Sequence, residues 1–200
     1  MSDKHGVFFL HFLPPSPVGF ISANSIHSGH TPFLMTANDC VAELIDKYNT
    51  SNPFELMDLL YIQCRSSNLD SLKGYCVIIH GIKYVAINEM LSWQERKIVA
   101  AHELGHILLH SDKLKAAAHH DLNIYDMADK TEYQANLFAA ELLIDDEDVD
   151  NLARRDNMDY FTMAKFLSTN PQLLAFKLFS MARRGYNYNL QVPPKSDFLA

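Results

Sequence analysis

"VAAHELGHILLH", residues 99–110, is the stretch that decides the fold and points to a functional site. His102 and His106 are four residues apart, and Glu103 follows the first histidine. In a helix, residues four apart lie on one face and about 6 Å apart along the axis, so two imidazoles can converge on one metal ion. The intervening glutamate can reach water bound to that ion. The stretch therefore predicts a helical metal site with His102 and His106 as ligands and Glu103 as a general base.

The flanking sequence also favours a helix at this position. Ser92 and Glu95 in SWQE form a capping box, which predicts a helix that starts there and runs to about His110. Gly105 lies in the interior of this helix, where Gly costs up to about 1 kcal/mol relative to Ala. A glycine at such a position indicates that another element approaches closely.

His110 continues the four-residue spacing but does not complete the site. It would lie about 12 Å from His102 along a straight helix, too far for one tetrahedral ion to bind all three imidazoles. We interpret His110 as a helix-end residue that interacts with the terminal carbonyl groups, with a role behind the metal ligands or towards the substrate as the alternative. Leu109 and Asp112 occupy the positions where a metzincin has Gly and His, which excludes that pattern.

The third ligand must therefore come from another element, and a carboxylate would give a His₂Glu set with an open fourth position. The candidates are the carboxylates and imidazoles that follow the motif: His119, His120, Asp121, Asp126, Asp129, Glu132 and Glu141. Glu132 is favoured because it falls in the first turn of the amphipathic helix predicted for TEYQANLFAAELLI, residues 131–144. We interpret Glu141 as a solvated residue. Asn136 lies four residues after Glu132 and could orient a metal ligand.

Composition limits the class of protein. The chain has 200 residues, of which 48% are hydrophobic and 20% charged, enough for one good core and at most two small domains. A formal net charge of −7 argues against direct nucleic-acid binding. Its three cysteines form no CxxC pair, which is typical of a reducing compartment, and no stretch has the length of a membrane helix. We expect a cytoplasmic protein without a membrane partner.

Three regions are predicted along the chain. Residues 1–34 form an irregular leader, in which prolines and a histidine interrupt any signal-peptide core. Residues 35–145 form the main domain, with helices in TANDCVAELIDKY and NPFELMDLLYI and strands in IQCRS, GYCVIIHG and KYVAIN. Asn52 is the predicted cap of the second helix, ahead of Pro53, and His80-Gly81-Ile82 is the predicted hairpin connection between the last two strands. Residues 146–200 form a C-terminal helical region and tail, with a helix-turn-helix outline whose second helix offers few cations. That region therefore suits a scaffold or partner-docking role better than DNA reading.

AHELGHILLH followed by EYQANLFAAELLI resembles the ImmA/IrrE family of zinc metallopeptidases, of the phage or integrative-element type. The resemblance covers about residues 36–145 and implies an α+β, zincin-like fold that is mostly helical, with a small three-stranded sheet before the HExxH helix. It implies Zn²⁺ bound by His102, His106 and Glu132, with Glu103 as the catalytic base. The pair Ile144-Asp145 departs from the hydrophobic-Pro that usually ends the second motif.

The predicted reaction is metal-assisted peptide hydrolysis, with oxyanion support from one of four residues among which the sequence does not choose: Tyr125, Tyr133, His119 and His120. The resemblance implies a site-specific endopeptidase whose protein substrate is a helix-turn-helix repressor, cleaved to relieve repression. Two alternatives stay open: a metal-binding partner of a repressor that does not cleave it, as in a toxin–antitoxin-like pair, and a less selective zinc peptidase. Manganese or iron would also satisfy a His₂Glu ligand set.

Overall fold

The computed structural model describes residues 36–117 and 128–188. Within these ranges, the chain forms helices and one three-stranded sheet, and the predicted α+β class with a small sheet ahead of the motif helix is confirmed. The elements in chain order are α1 Ala37–Tyr48, α2 Pro53–Leu59, β1 Gln63–Ser67, β2 Gly74–Ile79, β3 Ile82–Asn88, α3 Trp93–Leu109, α4 Ser111–Ala117, α5 Ala128–Leu143, α6 Asp146–Ala153, α7 Tyr160–Phe166 and α8 Pro171–Arg183.

The sheet has β3 at its centre, paired antiparallel with β2 and parallel with β1. The predicted connection between β2 and β3 was three residues long, but the structure places Ile82 in β3 and leaves only His80 and Gly81 in the turn. Both turn residues have positive φ, +49° and +80°. That conformation belongs to a type I′ turn, whose twist matches the twist of the two strands. The hairpin therefore closes more tightly than the sequence suggests.

Local capping explains where the helices begin. The Thr36 side chain accepts from the backbone N–H of Asp39 at the start of α1, and Ser92 and Glu95 form the predicted capping box at α3. Asn52 caps α2 ahead of Pro53, also as predicted. These contacts satisfy N–H groups that have no partner inside the helix.

The core centres on α3, which packs against α5 and against the sheet. A Cβ atom added to Gly105 would lie 3.1 Å from side-chain atoms of Phe138 on α5, and Phe138 is fully buried. The predicted close approach at Gly105 is therefore confirmed. On the other side, Val85 and Ile87 of β3 are buried in the same cluster. This packing holds the motif helix between the sheet and α5.

Two expectations about helix limits were wrong. The segment 111–130 was predicted as a polar connection, but α4 occupies Ser111–Ala117 directly after α3. Its first residues continue the hydrogen bonding, because the His110 carbonyl accepts from the N–H groups of Lys113 and Leu114. The start of α5 at Ala128 places Glu132 in the second turn rather than the first.

Glu141 was interpreted as a solvated residue, and this was wrong. Its side chain is 3% exposed and lies in an ion network with Lys177, Arg184 and Asp146. The Lys177 Nζ atom lies 2.8 Å from Glu141 Oε2 and 2.5 Å from Asp146 Oδ1. Because Glu141 is buried, its charge requires cations as partners.

The C-terminal helices pack onto α5 through α8. Asn170 caps α8 and Pro171 is its first residue. Lys177 of α8 and Arg184, its C-cap, lie in the network with Glu141. The division of the chain at residues 145 and 146 stays a prediction, and residues 1–34 lie outside the described ranges. Within those ranges, no helix combines the length and apolar character needed to cross a bilayer.

Candidate metal centre

The structure brings His102 and His106 of α3 together with Glu132 of α5. The two histidine Nε2 atoms are 3.0 Å apart. Each lies 3.2 Å from one carboxylate oxygen of Glu132, His102 from Oε2 and His106 from Oε1. Three donor groups from two facing helices therefore converge on one point.

The donor types and spacing fit a zinc ion. Imidazole nitrogens and a carboxylate oxygen form a common catalytic zinc set, and ligands ~2.0–2.1 Å from a tetrahedral ion lie ~3.3 Å from one another. The observed separations of 3.0 and 3.2 Å are close to that value. Burial would raise the pKa of Glu132, but the imidazoles of His102 and His106 beside its two oxygens hold it well below its usual range. The carboxylate is therefore anionic, as a metal ligand must be.

Asn136 fixes the orientation of the His102 ring. Its Oδ1 atom lies 2.8 Å from His102 Nδ1, and both residues are buried. An amide oxygen only accepts, so His102 carries its proton on Nδ1 and presents a lone pair at Nε2. The Nε2 atom is the one that faces Glu132. Asn136 thus occupies the position from which it can orient a ligand.

His110 ends α3 as its C-cap, but its side chain does not turn towards the terminal carbonyl groups as we expected. The ring is buried, with Nδ1 3.4 Å from His106 Nδ1 and Nε2 2.9 Å from Gln134 Oε1. Burial lowers the pKa of His110 below its ordinary value. A neutral imidazole therefore lies behind His106, on the side away from Glu132.

Glu103 lies in a pocket between α3 and β2. It is 7% exposed, and burial raises its pKa above the ordinary value, although His106 opposes this effect. The Cys76 thiol of β2 hydrogen-bonds to the carboxyl group, and burial followed by the charge of Glu103 raises the pKa of that thiol far above its normal range. A Cβ atom on Gly74 would lie 3.4 Å from Glu103 Oε1 and only 2.5 Å from Val99 Cγ1. Gly74 therefore allows β2 to approach the carboxyl group.

The other residues considered for the site are not brought together by the described structure. Tyr133 packs on Phe176 and Phe179 of α8, at centroid distances of 5.4 and 6.3 Å. That packing directs its ring towards α8. The following candidates have no described side chain: His119, His120, Asp121, Tyr125, Asp126 and Asp129.

Three residues near the site were missed by sequence reasoning: Gly74, Cys76 and Gln134. Gly74 carried a usable signal, since a glycine at the start of an apolar strand often marks a close backbone approach. Cys76 and Gln134 carried none. Each reaches the site through packing between elements distant in sequence.

Comparison with known proteins identifies the family of the chain. Residues 60–179 match the family model of the IrrE N-terminal-like domain. The chain belongs to this family. The matched region contains the whole His-His-Glu cluster and continues past residue 145 through most of α8. The resemblance to ImmA/IrrE proteins of the phage type is confirmed.

Two curated relatives come from a Bacillus phage and from a Bacillus species. "Uncharacterized immunity region protein 2" of Bacillus phage phi105 is 38% identical over 107 residues, covering 53% of this chain and 66% of the relative. "Metallopeptidase ImmA" of Bacillus subtilis (strain 168) is 29% identical over 114 residues, covering 54% of this chain and 62% of the relative. The chain thus matches just under two thirds of each relative's length.

Proposed function

We propose that this protein is a zinc-dependent, site-specific endopeptidase that cleaves a helix-turn-helix transcriptional repressor and so relieves repression. One observation carries the proposal: the Nε2 atoms of His102 and His106 and the Glu132 carboxylate converge within 3.0–3.2 Å beside the buried Glu103. A pure metal-binding module has no need for a buried carboxylate next to the ligands. The geometry therefore favours the hydrolytic function over a partner that binds a repressor without cleaving it.

Four side chains have roles in this mechanism. His102, His106 and Glu132 would hold the ion, which when bound polarises a peptide carbonyl and lowers the pKa of water towards 7. Glu103 accepts a proton from the attacking water and delivers it to the leaving nitrogen. Its burial favours the protonated carboxylic acid more than bulk water does, which suits a group that must both take and return a proton.

Asn136 serves the mechanism without touching the substrate. By accepting from Nδ1 of His102, it keeps the Nε2 lone pair directed at the metal position. Asn136→Ala should therefore weaken zinc binding while leaving Glu103 in place.

The substrate class rests on the family and on the names of the two relatives. One relative is a metallopeptidase and the other a protein of a phage immunity region. Cleavage of a repressor encoded by the same phage or integrative element would connect peptidase activity with an immunity region. A transcriptional repressor acts in the cytoplasm, and the three free cysteines of this chain are typical of the same reducing compartment. The helices after residue 145 expose Phe161 and Phe166 and could dock such a substrate.

The test uses the full-length, zinc-loaded protein with two substrates: the repressor encoded beside its gene, and unstructured casein. Mass spectrometry should find fragments of the repressor and none of casein. Cleavage of casein would favour a less selective peptidase, whereas a stable complex without fragments would favour the non-cleaving partner.

Two variants assign the roles, and one serves as their control. Glu103→Gln should retain zinc and lose cleavage, whereas Glu132→Ala should lose zinc. Glu89→Gln makes the same chemical change at an exposed position and should behave as the wild type. Wild-type cleavage by Glu103→Gln would remove Glu103 from the mechanism, and unchanged zinc content in Glu132→Ala would remove that ligand.

A further inference from the structure

His110 and Gln134 form a hydrogen-bonded chain behind the His106 ring. We infer that this pair positions His106 for metal binding by fixing which of its ring nitrogens carries the proton. The inference rests on the proposed metal site, and it gives a role to a histidine that is not itself a ligand.

The argument starts from the two nitrogens of His106. Nε2 faces Glu132 at 3.2 Å and His102 at 3.0 Å, so it is the nitrogen that would bind the ion. A ligating imidazole is neutral and must then carry its proton on Nδ1. The nitrogen that faces His106 Nδ1 belongs to His110, 3.4 Å away. His110 Nδ1 is therefore the acceptor for the outer N–H group of His106.

The second hydrogen bond sets the direction of the first. His110 Nδ1 can accept only if the proton of that ring is on Nε2. The Nε2 atom lies 2.9 Å from Gln134 Oε1, and an amide oxygen accepts but never donates. Only one arrangement satisfies both contacts: His106 donates to His110, and His110 donates to Gln134.

The protein holds His110 firmly in this position. Its backbone N–H donates to the His106 carbonyl at 2.9 Å, and its own carbonyl accepts from Lys113 and Leu114 at the start of α4. The residue is 6% exposed, so little water competes for its ring nitrogens. The junction between α3 and α4 thus fixes the backbone, and Gln134 fixes the ring.

Each of the two metal-binding histidines then donates its outer N–H group to a buried acceptor. Asn136 accepts from His102 at 2.8 Å, while His110 accepts from His106 at 3.4 Å. The second contact is longer and therefore weaker. Outer hydrogen bonds of this kind typically change metal affinity ~10–100-fold, so we expect about 10-fold for His110.

The experiment measures zinc affinity on the full-length protein by competition with a chromogenic chelator. His110→Phe, which keeps a ring but removes the acceptor, should weaken zinc binding about 10-fold. Gln134→Leu should weaken it less, and Gln134→Glu, which keeps an acceptor oxygen, should bind zinc as the wild type does. Gln172→Leu makes the same change at an exposed helical position and should have no effect.

A second measurement detects the proton positions directly. Nitrogen-15 NMR of the histidine rings should show His110 protonated at Nε2 in the wild type, and a mixture of the two tautomers in Gln134→Leu. Wild-type zinc affinity in His110→Phe, or a His110 tautomer unchanged in Gln134→Leu, would overturn the inference. A wild type that binds zinc but cleaves no substrate would contradict the proposed peptidase function alone, because the affinity differences among these variants would remain measurable.

Discussion

Lys177→Met should destabilise the protein strongly, although Lys177 lies on α8, outside the candidate metal centre. The Lys177 ammonium is 3% exposed and lies 2.8 Å from a Glu141 carboxylate that is also 3% exposed. Methionine fills a similar volume and has a similar helix propensity. The substitution therefore removes the charge while keeping most of the packing.

The expected loss follows from the partners that remain. Removing one member of a buried ion pair typically costs about 3–5 kcal/mol, because the other charge is left without compensation. Arg184 would still lie 3.2 Å from Glu141 and 2.5 Å from Asp146, which favours the lower end of that range. A loss of about 3 kcal/mol corresponds to a fall in Tm of ~6–12 °C for a chain of this size.

Urea and thermal unfolding followed by circular dichroism would measure this loss. Lys165→Met is the matched control, since Lys165 is exposed on α7. It should change the free energy of unfolding by less than ~0.5 kcal/mol. The double variant Lys177→Met/Glu141→Met removes both buried charges and should recover most of the stability. If Lys177→Met cost no more than Lys165→Met, the network would not stabilise the fold and the reasoning would be refuted.

Three further predictions concern the strand beside Glu103, the response to acid and the metal. Gly74→Ala should lower the free energy of unfolding in urea by ~1–3 kcal/mol, because the added Cβ would lie 2.5 Å from Val99 Cγ1 and 3.0 Å from the Ala86 carbonyl oxygen. Wild-type stability in this variant would contradict the close approach of β2. Burial would raise the pKa of Asp146, but hydrogen bonds from Arg184 and Lys177 lower it below 3.8. The ionised Asp146 therefore stabilises the fold fully above that pH, and this stabilisation is lost as the pH falls through the lowered pKa. Urea unfolding from pH 5 to pH 3 should therefore show a steeper loss in the wild type than in Asp146→Asn. Removing zinc with a chelator should lower Tm, since free zinc at 100 times its Kd stabilises a site by about 2.7 kcal/mol; an unchanged Tm would argue against metal binding.

Local sequence signals predicted much of this fold because each depends on neighbouring residues. Capping at Ser92 and Asn52 depends on contacts within three residues, and the structure shows both caps. The close approach predicted at Gly105 was also confirmed. A glycine in a helix interior lowers stability relative to alanine, so its presence there indicates a neighbour that leaves no room for a side chain. The hairpin connection was predicted one residue too long, because His80 lacks the asparagine or aspartate side chain that usually signals a type I′ turn.

Polar contacts between elements distant in sequence could not be predicted in the same way. Glu141 has the polarity of a surface residue, and only the packing of α8 brings Lys177 to it, 36 positions later in the chain. Gln134 and His110 are 24 positions apart and likewise meet through the contact of α5 with the end of α3. Periodicity shows which residues of a helix share a face, but not which polar residue lies opposite them.

The position of Glu141 on α5 also limits how the protein can be divided. Glu132 and Glu141 are nine residues apart, about 13.5 Å along a single helix, with the candidate metal ligands near one and the cations of α8 near the other. A fragment ending at residue 145 would retain every proposed ligand yet expose the α5 face that α8 covers. Glu141 would then have lost both of its cationic partners. Truncation before α8 should therefore yield an unstable protein rather than a minimal peptidase.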